Sequence, residues 1–279
     1  MAEADLSTFR AEVRGPNPPS LARAALLFAR EIAYPDLQPS AYLTRLDSWA
    51  QAVQWRLSPA DSALTRLGRL TDFLFNEIGL RGNEDDYADP RNSYLNEVIS
   101  RGLGLPISLS VIFLEIADRL GLPAYGIGLP GHFIVGVRLA KQDARHMLDP
   151  YHGGITVALE EAERLVRATS GYTGPFQSEW LNPMSPQAIL ARMLLNLRGV
   201  HIQREDWPAA TAAVEHLRIL QPDAPEHMRD LGLLRFRSGD LRLAANLLEQ
   251  YLIHEPDAPD KESIRQTLDA ILSQFSLLN

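Results

Sequence analysis

Not one of the 279 residues is a cysteine. That absence removes disulfides, thiolate metal sites and thiol nucleophiles together. Long apolar runs are missing too: none approaches the roughly 20 residues needed to cross a bilayer. The opening MAEADLSTFR has neither the positive n-region nor the apolar h-region of a secretory signal, so a cytoplasmic location with no membrane association is expected. Basic charge is in short supply, with 27 Lys and Arg against 35 Asp and Glu and a net charge of -8, which argues against nucleic acid as a partner. No glycine-rich loop precedes a helix in the order that phosphate binding requires, and no cofactor is expected.

What is present suffices for a full core: 46% of the residues are apolar, and the length suits one large domain or two smaller ones. Residues 1–19 read as a disordered or extended lead-in, dominated by the stiff segment Pro16 to Pro19. Leu21, Ala24, Ala25, Phe28, Ala29 and Ile32 then recur at helical spacing until Tyr34-Pro35. Two more helical patterns cover Ala41 to Gln54 and Ala60 to Ile78. After a polar stretch, Asp89-Pro90-Arg91-Asn92 resembles a helix entry, with Pro in the first turn and Asp or Asn as cap.

From Ile107 to Leu120 apolar residues occupy most of a helix circumference, which predicts an enclosed central helix. Short runs bounded by Gly, Pro and Asp follow, at 124–129, 133–139, 145–148 and 154–157, and read as strands of a small antiparallel sheet. A helix over Leu159 to Ala168 and a connection over Gly171 to Pro186 lead into the last third. There Asp206 and Asp240, Ala210 and Ala244, Pro222 and Pro256, and Leu197 and Leu231 are each 34 residues apart. That period, with helix, turn, helix and proline, matches the tetratricopeptide repeat. Two repeats, Ala188 to Pro222 and Ala224 to Pro256, and a capping helix Lys261 to Leu278 make up a block over 187–279. Two are fewer than a free-standing array needs, so the block should pack on the preceding domain, 20–180.

The strings DYADPRNSYLNEVISRGLGLPISLSVIFLEIADRLGLP, GLPGHFIVGV and LDPYHGG, in that order and ahead of the repeats, resemble the transglutaminase-like superfamily. The nearest likeness is to its bacterial SirB-type branch, in which a helical N-terminal region and C-terminal tetratricopeptide repeats flank the core. The resemblance implies an α+β, predominantly α fold: a papain/transglutaminase-like core with a small antiparallel sheet, followed by repeat helices. It also places His132 and Asp149 on the family's catalytic His and Asp positions. The family's cysteine begins the central helix about 14 or 15 residues before the Gly of a Gly-Ile-Pro turn, and counting back from Gly121 lands on Ile107 or Pro106. Neither is a nucleophile. The nearest hydroxyls are Ser108, in the first helical turn, and Ser110, on a different face.

Each of these residues also has a structural reading. Ser108 is either a nucleophile served by His132 and oriented through Asp149, or a first-turn serine bonded to backbone. His132 is a general base delivered by the Gly131 turn, or a half-buried His satisfied locally; Asp149 is its partner, or a turn residue. Asp89, Arg91 and Asn92 line the cleft or cap a helix, and Glu31 is a surface carboxylate or a partner for Arg91. His146, Asp149 and His152 offer metal-ligand types, but a spacing of three in a strand and turn does not converge them, and no metal is expected. Arg198, His201, Arg229, Arg235 and Arg237 hold a partner's acidic segment in the repeat groove, or lie on a solvated face.

Taken together these readings favour a catalytically inactive transglutaminase-like protein that uses a retained His/Asp cleft and its repeats to bind a protein or peptide partner. The alternative is a serine-dependent hydrolase or acyltransferase using Ser108, His132 and Asp149. A third possibility is a scaffold in which the repeats stabilise the first domain, so that removing residues 188–279 unfolds the rest.

Overall fold

The computed structural model describes residues 6–139 and 145–277. Residues 1–5 of the expected lead-in and Leu278 of the expected capping helix lie outside the described residues. Helix α1 (Ser7–Arg14) occupies eight residues of that expected lead-in. Phe9 and Val13, with Leu6 one turn earlier, recur at helical spacing; Phe9 is fully buried, edge-on to Phe28 and to the His216 ring. The prolines end this short amphipathic helix without preventing it.

Helices α2 (Leu21–Ile32), α3 (Pro39–Gln54) and α4 (Ala63–Thr71) complete the N-terminal layer. Ser20 caps α2 by accepting from the Arg23 N–H, and α4 runs into a π-helical turn over Asp72–Glu77. Strand β1 (Arg81–Gly82) pairs in parallel with β2 (Leu103–Gly104) on either side of α5 (Leu95–Arg101). Helix α6 (Pro106–Arg119) is the enclosed central helix: Leu109, Val111, Ile112, Phe113 and Ile116 are all at 0% exposure. Side chains of this size contribute about 1.5–3 kcal/mol each on burial, so α6 anchors everything packed around it.

Strands β3 (Ala124–Ile127), β4 (Ile134–Arg138), β5 (Arg145–Asp149) and β6 (Ile155–Thr156) form an antiparallel sheet in that order. In the β4–β5 pairing Val135 faces Leu148 and Val137 faces His146. Helix α7 (Leu159–Ser170) follows. The rest is antiparallel helix pairs, α8 (Pro186–Gln203) with α9 (Trp207–Leu220) and α10 (Pro225–Arg237) with α11 (Leu241–His254), closed by α12 (Lys261–Leu277). The architecture is α+β and predominantly α, as expected. Among the described residues no helix is long and apolar enough to cross a membrane.

One continuous core joins α1 to α6 with α8 and α9. Ile189, Leu190, Met193, Leu194, Leu197, Leu217 and Ile219 belong to the same cluster as Phe28, Leu95 and Phe113. Polar clasps reinforce the junction. The His216 Nε2 lies 3.0 Å from a Glu31 carboxylate oxygen, while its Nδ1 donates to the Ala212 carbonyl at 2.7 Å. Arg14 donates to the Ile219 carbonyl at 2.9 Å, and the Tyr94 hydroxyl meets His201 Nε2 at 2.8 Å.

Candidate functional site

The His132 turn is built around Gly131. Its φ of +74° is a left-handed conformation that side-chain-bearing residues rarely adopt, and a Cβ there would lie 2.7 Å from the Thr169 carbonyl carbon. Arg192, from α8, clamps the turn from the other side by donating to the Leu129 and His132 carbonyls, both at 2.7 Å. Its guanidinium sits 5.6 Å from the centre of the Phe133 ring. Extending the β4–β5 register by three residues brings His132 beside the turn after Asp149.

There the His132 Nε2 lies 2.8 Å from Asp149 Oδ2. His152 Nδ1 reaches the same oxygen at 2.7 Å, and Asp149 Oδ1 accepts the Tyr151 N–H at 2.9 Å. A carboxylate only accepts, so both imidazoles donate to it through these nitrogens. Burial pushes the Asp149 carboxyl up, but the hydrogen bonds and charges of His132 and then His152 more than reverse this, holding it below the usual carboxylate range. Tyr151 stands edge-on to His132 and packs over Gly82, where a Cβ would come within 2.5 Å of the ring.

Ser108 is fully buried, and its hydroxyl is fully engaged. It accepts from the Leu105 N–H at 2.9 Å and donates to the Asn92 carbonyl at 2.7 Å, with the Leu105 carbonyl at 3.1 Å. Those bonds close the first turn of α6. Ser110 is also fully buried, and its hydroxyl has no hydrogen-bond partner among the described residues. The hydroxyl-to-imidazole bond of a serine triad does not form at either position.

Asp89 caps the 3-10 turn Pro90–Asn92 by accepting from the Arg91 N–H, and it also holds the Arg91 and Arg101 guanidiniums. Burial raises its carboxyl, and the bonds from Arg91 outweigh that and lower it. Asn92, wholly buried, donates to the Asp86 carbonyl and accepts from Asn83. These three residues fix the chain entering α5, and the Asn92 carbonyl ties it to the start of α6 by accepting from the Leu105 N–H at 3.2 Å. Glu31 is neither on the surface nor bonded to Arg91; it is buried against His216, a partner 185 residues away that no local pattern could indicate.

The repeat residues divide in the same way. Arg198 lines a cavity of about 370 Å³ together with Ile202, Trp207, Leu233, Phe236 and Arg237, and is paired there with Asp230. His201 is buried behind the groove, where burial, only partly offset by Asp206, lowers its pKa. Arg229 bridges Asp230 and Asp260, and Arg235 is paired with Glu215. Arg237, at the groove, has no ion-pair partner among the described residues. Sequence reasoning passed over Tyr151 and Arg192, and it set His152 aside on the ground that a spacing of three does not bring it to Asp149, which the turn in fact does.

Residues 40–195 match the transglutaminase-like superfamily, and residues 197–269 match the tetratricopeptide repeat. A UPF0162 protein of Xylella fastidiosa (strain Temecula1) is 36% identical over 248 residues, covering 88% of this chain and 87% of that one. A UPF0162 protein of Pseudomonas aeruginosa is 32% identical over 219 residues, 78% of each chain. A shorter similarity, 30% over 99 residues, relates 33% of this chain to 16% of F-box only protein 21 of Mus musculus. With a family match over more than half of its length and relatives aligned over most of theirs, this chain belongs to the transglutaminase-like superfamily and to the UPF0162 proteins.

Proposed function

We propose that this protein is a non-catalytic interaction module of the cytoplasm, binding a protein segment in its repeat groove and keeping the His132–Asp149 cleft as a binding site. The observation that carries this is the state of Ser108. A serine nucleophile needs its proton taken by a base, and this hydroxyl spends its proton on a backbone carbonyl inside a closed helical turn. Freeing it would leave the buried Asn92 carbonyl one hydrogen bond short, at a cost of about 1–3 kcal/mol.

The groove supports the positive half of the reading. Ile202, Trp207, Leu233 and Phe236 offer apolar contact, and Arg237 offers a cation with no ion-pair partner among the described residues. Such a surface suits a segment with an apolar anchor beside an acidic residue. The chain's own net charge of -8 fits this better than nucleic acid.

The test is intact-mass analysis after exposure to a broad hydroxyl-directed electrophile, run beside Ser108→Ala and His132→Ala. No adduct on the folded protein is expected, and capture of the partner should be lost in Phe236→Ala and Arg237→Glu. One stoichiometric adduct that disappears in both the serine and histidine variants would restore the hydrolase or acyltransferase reading.

A further inference from the structure

We propose that His132, Asp149 and His152 form a binding site for a divalent first-row transition cation such as Zn²⁺. This deepens the reading of the cleft as a binding site and rests on it. One ligand atom from each residue lies within 4.8 Å of the other two. Two imidazoles and one carboxylate are the donor set that zinc, cobalt and ferrous iron accept, and no cysteine is available to divert a softer ion. His146, the more obvious partner from spacing alone, is an odd number of residues from Asp149 along β5 and so lies on the other face of the strand; His132 takes its place from across the hairpin.

The distances suit a shared ion after a small closure. Such ions bind imidazole nitrogen and carboxylate oxygen at about 2.0–2.2 Å, so donors 2.7 to 2.8 Å apart subtend roughly 80° at a common metal. The two nitrogens must come within about 4.2 Å of each other, twice the bond length. His152, with 41% of its side chain exposed, can swing to supply this, while His132 and Asp149, at 4% and 1%, hold still. The exposed His152 side also leaves room for water in the remaining coordination positions.

The frame around the ligands is already rigid. Asp149 Oδ1 is held by the Tyr151 N–H, and the His132 turn is clamped by Arg192. Two stacked imidazoles, 5.9 Å apart between ring centres, now crowd one carboxylate oxygen, and an ion placed between the three would satisfy all of them at once.

The experiment is calorimetric titration of the full chain with Zn²⁺, with visible absorption of the Co²⁺ form as a second readout. His152→Ala is the decisive variant because the side chain is half exposed and its removal should not unfold the protein. One equivalent of Zn²⁺ is expected, with affinity falling at least about 100-fold in His152→Ala. His146→Ala and Arg237→Glu should bind as the unaltered chain does. Absence of a stoichiometric site, or equal binding by His152→Ala, would overturn the proposal and leave only scattered surface histidines. Failure of the metal with no serine adduct removes the metal alone; a Ser108 adduct removes the binding-site reading beneath it.

Discussion

The two tetratricopeptide repeats share their local grammar and differ in what they bury. Asp206 caps α9 and Asp240 caps α11 by the same bond to the third residue on, and prolines open α8 and α10 alike. Yet α8 and α9 supply seven large apolar side chains to the main core, whereas α10 to α12 pack in two small clusters, one of them completed by Ala210 and Val214 of α9. Position 201 in the first repeat is a buried His bonded to Tyr94, and position 235, one period later, is an Arg paired with Glu215. The first repeat has become a structural wall of the first domain on one side, and on the other it shares the groove with the second, which adds no large side chain to the main core. A repeat period therefore identifies a fold unit without saying whether it serves stability or binding.

The largest test of that contrast is truncation. Removing residues 186–279 should unfold the chain, since those seven core side chains are worth about 10–20 kcal/mol against a total stability of about 5–15. Removing only residues 223–279 should leave a cooperative domain, seen as a retained thermal transition by circular dichroism. If both truncations behave alike, the division between the repeats is wrong.

Next in size are equivalent leucines one period apart. Leu197→Ala, at a site with 0% exposure in the main core, should lower global stability by about 2–5 kcal/mol in chemical denaturation. Leu231→Ala should cost less globally and instead produce an early, local transition in hydrogen exchange over α10 to α12. A smaller effect depends on pH. The pKa of buried His201 is lower in the folded protein than its ordinary value of 6.5, so folding is favoured while the ring stays neutral. That stability is fully present above about pH 6.5 and is lost as pH falls through the folded value. His201→Gln should flatten this part of the stability profile. Smallest of all, Arg237→Glu should change stability by no more than about 0.5 kcal/mol while abolishing partner capture.

Much of this was legible in the sequence, for identifiable reasons. The 34-residue period marked the repeats, the all-round apolar pattern from Ile107 to Leu120 marked α6, and the Gly131-His132 turn marked the imidazole's entry. What escaped notice depends on contacts distant in the chain. Phe9 and Val13 form a helix because α2 and α9 cover them, and Glu31 is buried because His216 meets it. His152 joins Asp149 through a turn geometry that spacing along a strand misrepresents. Ser108 was open to two readings until the Asn92 carbonyl, 16 residues earlier, came into place.

The clasp between Glu31 and His216 also orders events during synthesis. At a translation rate of about 5–20 residues per second, the 185 residues between them take on the order of ten to forty seconds to emerge. Throughout that interval α2 has left the ribosome with Ala25, Leu26, Phe28 and Ala29, all destined for 0% exposure, and without the helix that will cover them. The first helices made are among the last to be finished, and the nascent chain carries an adhesive face for most of its translation.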